Sequence, residues 1–129
     1  MRLSVPVLDE TTSGTRRAAG ALEFEDSAST LREIIRQRVQ QEVERFNQSD
    51  DEPFHGLVET NETERILNGV RERPCLDAQQ QFARALAAFE RNGFLVLVDD
   101  RQITDLDQTV PLTAHSTVTF LRLVPLIGG

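Results

Sequence analysis

The sequence predicts an α+β protein: a mixed sheet wrapped over one main helix, with an inserted segment and a second helix before the third strand. Three observations predict it. Short alternating or apolar runs near both ends read as strands. A capped stretch with one apolar face, beginning near residue 30, reads as the main helix. The long crossover through that helix lets the first and last strands lie parallel at the centre of the sheet.

Taken in order, Leu3-Ser4-Val5-Pro6-Val7-Leu8 alternates as a half-buried strand does, and Pro6 places it near an edge or a bulge. Residues 11–20 read as a polar loop with two glycines, and Ala21-Leu22-Glu23-Phe24-Glu25 as the returning strand of a hairpin. Thr30 with Glu33 three positions on makes a capping box, in which side chains satisfy amides that the helix start leaves unpaired. Leu31, Ile34, Ile35, Val39, Val43 and Phe46 then trace one helical face. About 47–77 reads as an insertion, polar and irregular, with a short strand or turn expected near 54–58. Asp77 caps a second helix whose expected buried side carries Phe82, Ala85, Leu86 and Phe89, and Asn92-Gly93 ends it. Phe94-Leu95-Val96-Leu97-Val98 is an apolar strand, Asp99-Asp100 a turn and Arg101-Gln102-Ile103 a short return. A turn-rich connection anchored by Leu106, Val110 and Leu112 leads to the last strand, 117–124, rich in β-branched and aromatic residues. The chain then reads Pro125-Leu126-Ile127-Gly128-Gly129 and stops, a flexible tail over 125–129.

The 129 residues suit a single domain, and 39% hydrophobic with 27% charged residues suits a packed core. No apolar run approaches the roughly 18 residues of a membrane span. The N-terminus lacks the apolar stretch of a signal peptide, and the one cysteine, Cys75, fits a reducing compartment, so the expected location is cytoplasmic. A net charge of −7 argues against a nucleic-acid partner, whose phosphates demand basic surface, and favours a basic protein surface. All 14 basic residues are arginine. A lysine-free chain has no side-chain amine to accept an acyl group, since arginine stays protonated. An arginine-favouring genome accounts for the same composition.

The stretch Phe94 to Ile103 resembles the strand-turn-strand of the small subunit of molybdopterin synthase. So do Pro111-Leu112-Thr113 before the final strand and Val124-Pro125-Leu126-Ile127-Gly128-Gly129 after it. With the thiamine sulfur carrier and ubiquitin, that subunit belongs to the ubiquitin-like β-grasp superfamily, whose members end in Gly-Gly. The resemblance covers about 85–129 well and 1–46 in outline; 47–77 departs from it. It implies a β-grasp fold and a protein that is not itself an enzyme. A partner adenylating enzyme of the ubiquitin-activating type would spend ATP on the Gly129 carboxylate, with no cofactor bound by the chain. A downstream acceptor enzyme or target protein would then receive the product.

The residue types suit that chemistry. A carboxylate is a poor acyl donor until its oxygen becomes a better leaving group. Gly128 and Gly129, without Cβ, let backbone approach backbone inside a narrow channel. Pro125 stiffens the exit from the sheet, lowering the entropy lost on insertion. Leu126 and Ile127 offer apolar grips. Arg101 and Arg122 are expected on neighbouring strands, framing a docking patch on the outer sheet face.

Other constellations carry less. His55 and His115 lack partners at metal-ligand spacing, so no metal site is expected. Cys75 has no neighbouring histidine to activate it. Asp99-Asp100 is an ordinary acidic turn. Three functions stay open: a thiocarboxylate sulfur carrier, a modifier conjugated to target lysines through Gly129, and a non-covalent binding module. The Val-Pro-Leu-Ile-Gly-Gly tail favours the carrier, whereas the missing lysines and the insertion lean towards the modifier.

Overall fold

In a computed structural model of the chain, residues 2–48, 56–57 and 76–123 are described. Among them the chain is α+β, with a mixed five-stranded sheet, a two-stranded ribbon and two helices. They fall into two compact units, Met1–Ile34 with Phe89–Gly129 and, separately, Ile35–Ala88.

In the first unit, β1 (Leu3–Thr11) pairs antiparallel with β2 (Arg16–Phe24). The expected polar loop over 11–20 is corrected here. The turn occupies only 12–15, held by Thr11 N to Thr15 O (2.9 Å) and Gly14 N to Thr11 O (3.0 Å). Ionic pairing explains the early start of β2. Glu10 lies opposite Arg16 and Asp9 opposite Arg17, with ion pairs of 3.0 and 3.2 Å. An exposed edge strand does not need the apolar alternation that marks a half-buried one. The register shifts between Pro6 and Leu8, and Gly20 opposite sits at φ +92°, so Pro6 does stand at an irregularity.

Gly14 has φ +98°, and a Cβ there would meet nothing within 4 Å. The cost of Gly14→Ala is therefore backbone strain alone, about 1 kcal/mol. Urea unfolding would read this as a lower midpoint with an unchanged slope. A variant as stable as the parent would show that the turn relaxes instead.

β3 (Ala28–Thr30) pairs antiparallel with β6 (Thr109–Pro111), a ribbon absent from the sequence reading because neither strand exceeds three residues. It delivers Thr30 to the start of α1 (Leu31–Gln48), where Glu33 N donates to Thr30 Oγ1 at 3.2 Å, the expected cap. Leu31 N and Arg32 N donate to Gln108 O and Leu106 O, so the loop before β6 satisfies two more of the helix's first amides.

β4 (Phe94–Val98) and β5 (Arg101–Ile103) form a hairpin across Asp99 and Asp100, at φ +53° and +67°. Two positive φ values match the twist of a two-residue hairpin turn. β7 (Val118–Arg122) completes the order β2-β1-β7-β4-β5, parallel to β1 and antiparallel to β4. The parallel pairing of the first and last strands at the centre is as expected. Leu3, Val5, Val7, Phe94, Val96, Val98, Val118 and Phe120 are all buried and alternate along their strands.

In the second unit, α1 buries Ile35, Val39, Val43 and Phe46, as its periodicity requires. Arg38 is buried among them and pairs with Glu42 one turn on, whose other oxygen accepts the Leu57 amide at 3.2 Å. The Asn47 side chain brackets Leu76, accepting its N–H at 2.8 Å and donating to its carbonyl at 3.1 Å. Asp77 caps α2 (Ala78–Glu90) through Gln79 N at 2.9 Å. The predicted buried side of α2 needs correction. Gln81, Ala85 and Ala88 are buried, while Phe82, Leu86 and Phe89 are only half-buried. The buried stripe lies one residue, about 100° of helical rotation, from the bulky one.

Candidate functional site

The site predicted from sequence begins where β7 leaves the sheet. There Thr12 N donates to Arg122 O at 3.1 Å and Leu123 N donates to Gly93 O at 3.3 Å. Backbone bonds thus hold the chain from both sides up to Leu123. Pro125, Leu126, Ile127, Gly128 and Gly129 lie outside the described residues, as do His55, Cys75 and most of the predicted insertion.

Strand alternation separates two faces on the way to that exit. Residues opposite the buried set are Leu8 on β1, Thr119 and Leu121 on β7, and Leu95 and Leu97 on β4, all half-buried. The register makes them neighbours: Leu8 lies beside Thr119, Thr119 beside Leu97, and Leu121 beside Leu95. Leu123, two residues beyond Leu121, is 39% exposed. The face is therefore an apolar strip running towards the exit, with Glu10, paired to Arg16, at its β1 margin. Such strips are where partners dock when they dock at all. Sequence reasoning missed these leucines as a set. Phe94 to Val98 is continuously apolar, so its pattern does not show which residues face the core.

The expected adjacency of Arg101 and Arg122 is corrected. Arg101 stands on β5 and Arg122 on β7, with β4 between them. Arg101 lies opposite Val98 and Arg122 opposite Phe94, so they also occupy opposite ends of β4. The physical reason is the sheet order. A sequence pattern can identify strands, but the chain reversal after β5 inserts β7 on the far side of β4. The two arginines therefore do not lie on neighbouring strands.

Of the remaining candidates, Asp99 is structural: its Oδ1 accepts the Thr117 amide at 2.9 Å, tying the hairpin turn to the start of β7. His115 is exposed in a turn whose backbone is ordered by Thr113 Oγ1 and by Ser116, itself buried. Among the described residues no three His, Cys, Asp or Glu side chains are grouped to hold a metal ion, and no helix is long and apolar enough to cross a membrane. Compared with known proteins, the chain matches no family model, no curated protein and no solved structure.

Proposed function

We propose that this chain is a ubiquitin-like carrier of the β-grasp type, whose Gly129 carboxylate is adenylated by a partner enzyme and then holds sulfur as a thiocarboxylate. One observation carries the reading. The parallel central pair of β1 and β7 has β2 on one side and the β4–β5 hairpin on the other. That arrangement is compatible with a β-grasp fold, and in the sequence Val124-Pro125-Leu126-Ile127-Gly128-Gly129 begins one residue after the central strand. In the proposed reaction a Gly129 carboxylate oxygen attacks the α-phosphorus of ATP and pyrophosphate leaves. Hydrosulfide then attacks the acyl carbon, the bond to AMP breaks and AMP leaves, and loss of the sulfur's proton gives the thiocarboxylate. The chain supplies a rigid base, the apolar strip for docking and a slender tail. The partner supplies the catalytic groups.

The lysine-free composition favours a second reading, a modifier conjugated to target lysines, because such a chain cannot be extended through its own side chains. Intact-mass measurement on the protein from its native host separates the two. A carrier shows a Gly129 terminus heavier by one oxygen-for-sulfur exchange, whereas a modifier shows mass adducts with other proteins. A terminus other than Gly129 would overturn both and leave a non-covalent binding module.

A further inference from the structure

We propose that a groove beside the tail's exit is a docking site for a segment of the partner enzyme that presents an aliphatic side chain between basic ones. This rests on the carrier reading above and names the chemistry of its partner. The groove encloses about 460 Å³ within the first unit. Half-buried Phe89, Leu95 and Leu106 supply its apolar lining, and Phe89 is held against Phe94 with ring centroids 5.8 Å apart. Three carboxylates border it, Glu90, Asp105 and Asp107, against one cation, Arg32. Arg32 Nε donates to Asp107 Oδ1 at 3.2 Å, so that pair is internally balanced. Among the described residues no ion pair joins Glu90 or Asp105. The groove's excess charge is negative and matches the −7 of the whole chain, which steers basic surfaces towards it.

The groove is also pre-formed. Asp105 Oδ1 accepts the Asp107 amide at 2.9 Å, Gln108 N donates to Asp105 O at 3.1 Å, and Leu106 O takes the Arg32 amide at 2.9 Å. A loop pinned at so many points loses little entropy when a partner arrives. Its position gives it a role. Asn92 lines the groove, and the next residue, Gly93, accepts the Leu123 amide that anchors the exit of β7. Leu95 also belongs to the apolar strip, so one partner could cover groove and strip while receiving the tail.

The test uses the full chain labelled with nitrogen-15 and three peptide probes, acetyl-Arg-Leu-Arg-amide, acetyl-Arg-Ser-Arg-amide and acetyl-Glu-Leu-Glu-amide. The first is expected to shift the amides of Leu95, Gln102, Asp105 and Leu106. The second should bind several-fold more weakly and the third not measurably. Glu90→Gln with Asp105→Asn, which keeps the Oδ1 acceptor of the loop, should weaken the first peptide by about fivefold to tenfold. Added salt should weaken it in the parent more than in the variant. Shifts centred elsewhere, equal response to all three peptides, or no response up to the solubility limit would overturn the proposal. Activation at Gly129 is read separately: a chain that is activated yet ignores the peptides keeps the carrier reading and loses the groove. One that binds them but is never activated has a docking groove without a carrier's tail chemistry, and this version of the inference fails.

Discussion

Removing Gly128 and Gly129 is expected to lower ATP-dependent activation by more than about 100-fold while the fold stands. Two residues of extended chain reach at most ~7 Å, so truncation draws the terminal carboxylate back by a distance of that order. Displacements of about 1 Å at a reacting centre can already cost about 100-fold in rate. The truncated terminus would also present Ile127, whose branched Cβ does not fit where glycine backbone must pass. Among the described residues strand pairing reaches Arg122, well before the cut. Full-length and truncated chains would be incubated with ATP in extract from the native host, and the acyl adenylate trapped with hydroxylamine as a hydroxamate of unambiguous mass. Equal trapping of both chains would sink the tail as the reacting group. Gly128→Val should fall between them, because it crowds the channel without shortening the reach.

Arg38→Ala is expected to destabilise the second unit by about 3 kcal/mol. The Arg38 side chain is 2% exposed and its partner Glu42 10% exposed. Truncating the arginine leaves a nearly buried carboxylate that has lost this ion pair while it still accepts the Leu57 amide. Solvating such a charge poorly is far worse than never having buried it. The double change Arg38→Met with Glu42→Gln should therefore recover much of the loss, since Gln still offers an oxygen to Leu57 and Met fills the space of the arginine stem. Urea titration of the single and double variants gives the coupling between the two sites. A single variant within about 0.5 kcal/mol of the parent, the range ordinary for surface changes, would show that the pair is not held in a desolvated setting.

Local signals carried the reading where the cause of structure is local. Thr30 and Asp77 cap the helices expected of them because capping needs only a short oxygen-bearing side chain beside free amides. Asp99-Asp100 turns the hairpin because both residues tolerate positive φ. The reading failed where the cause is distant. Arg16 and Arg17 join a strand because Glu10 and Asp9 lie opposite them across the turn. Ala28–Thr30 becomes a strand only because Thr109–Pro111 returns beside it. The burial of Arg38 could not be foreseen, since an arginine between Ile35 and Val39 reads as a solvated position until Glu42 is seen to pair with it.

The sequence alone determined the α+β class, both helices and the strands that alternate. Those depend on period and capping, which a residue carries wherever it goes. Tertiary structure alone decided which side of β4 is covered. It put β4 between Arg101 and Arg122 and turned the alanines of α2 inward. It also placed Glu90 and Asp105, fifteen positions apart in the chain, on one groove beside the exit of β7. Neighbourhood across a sheet or a groove depends on where the chain comes back, and no single segment carries that information.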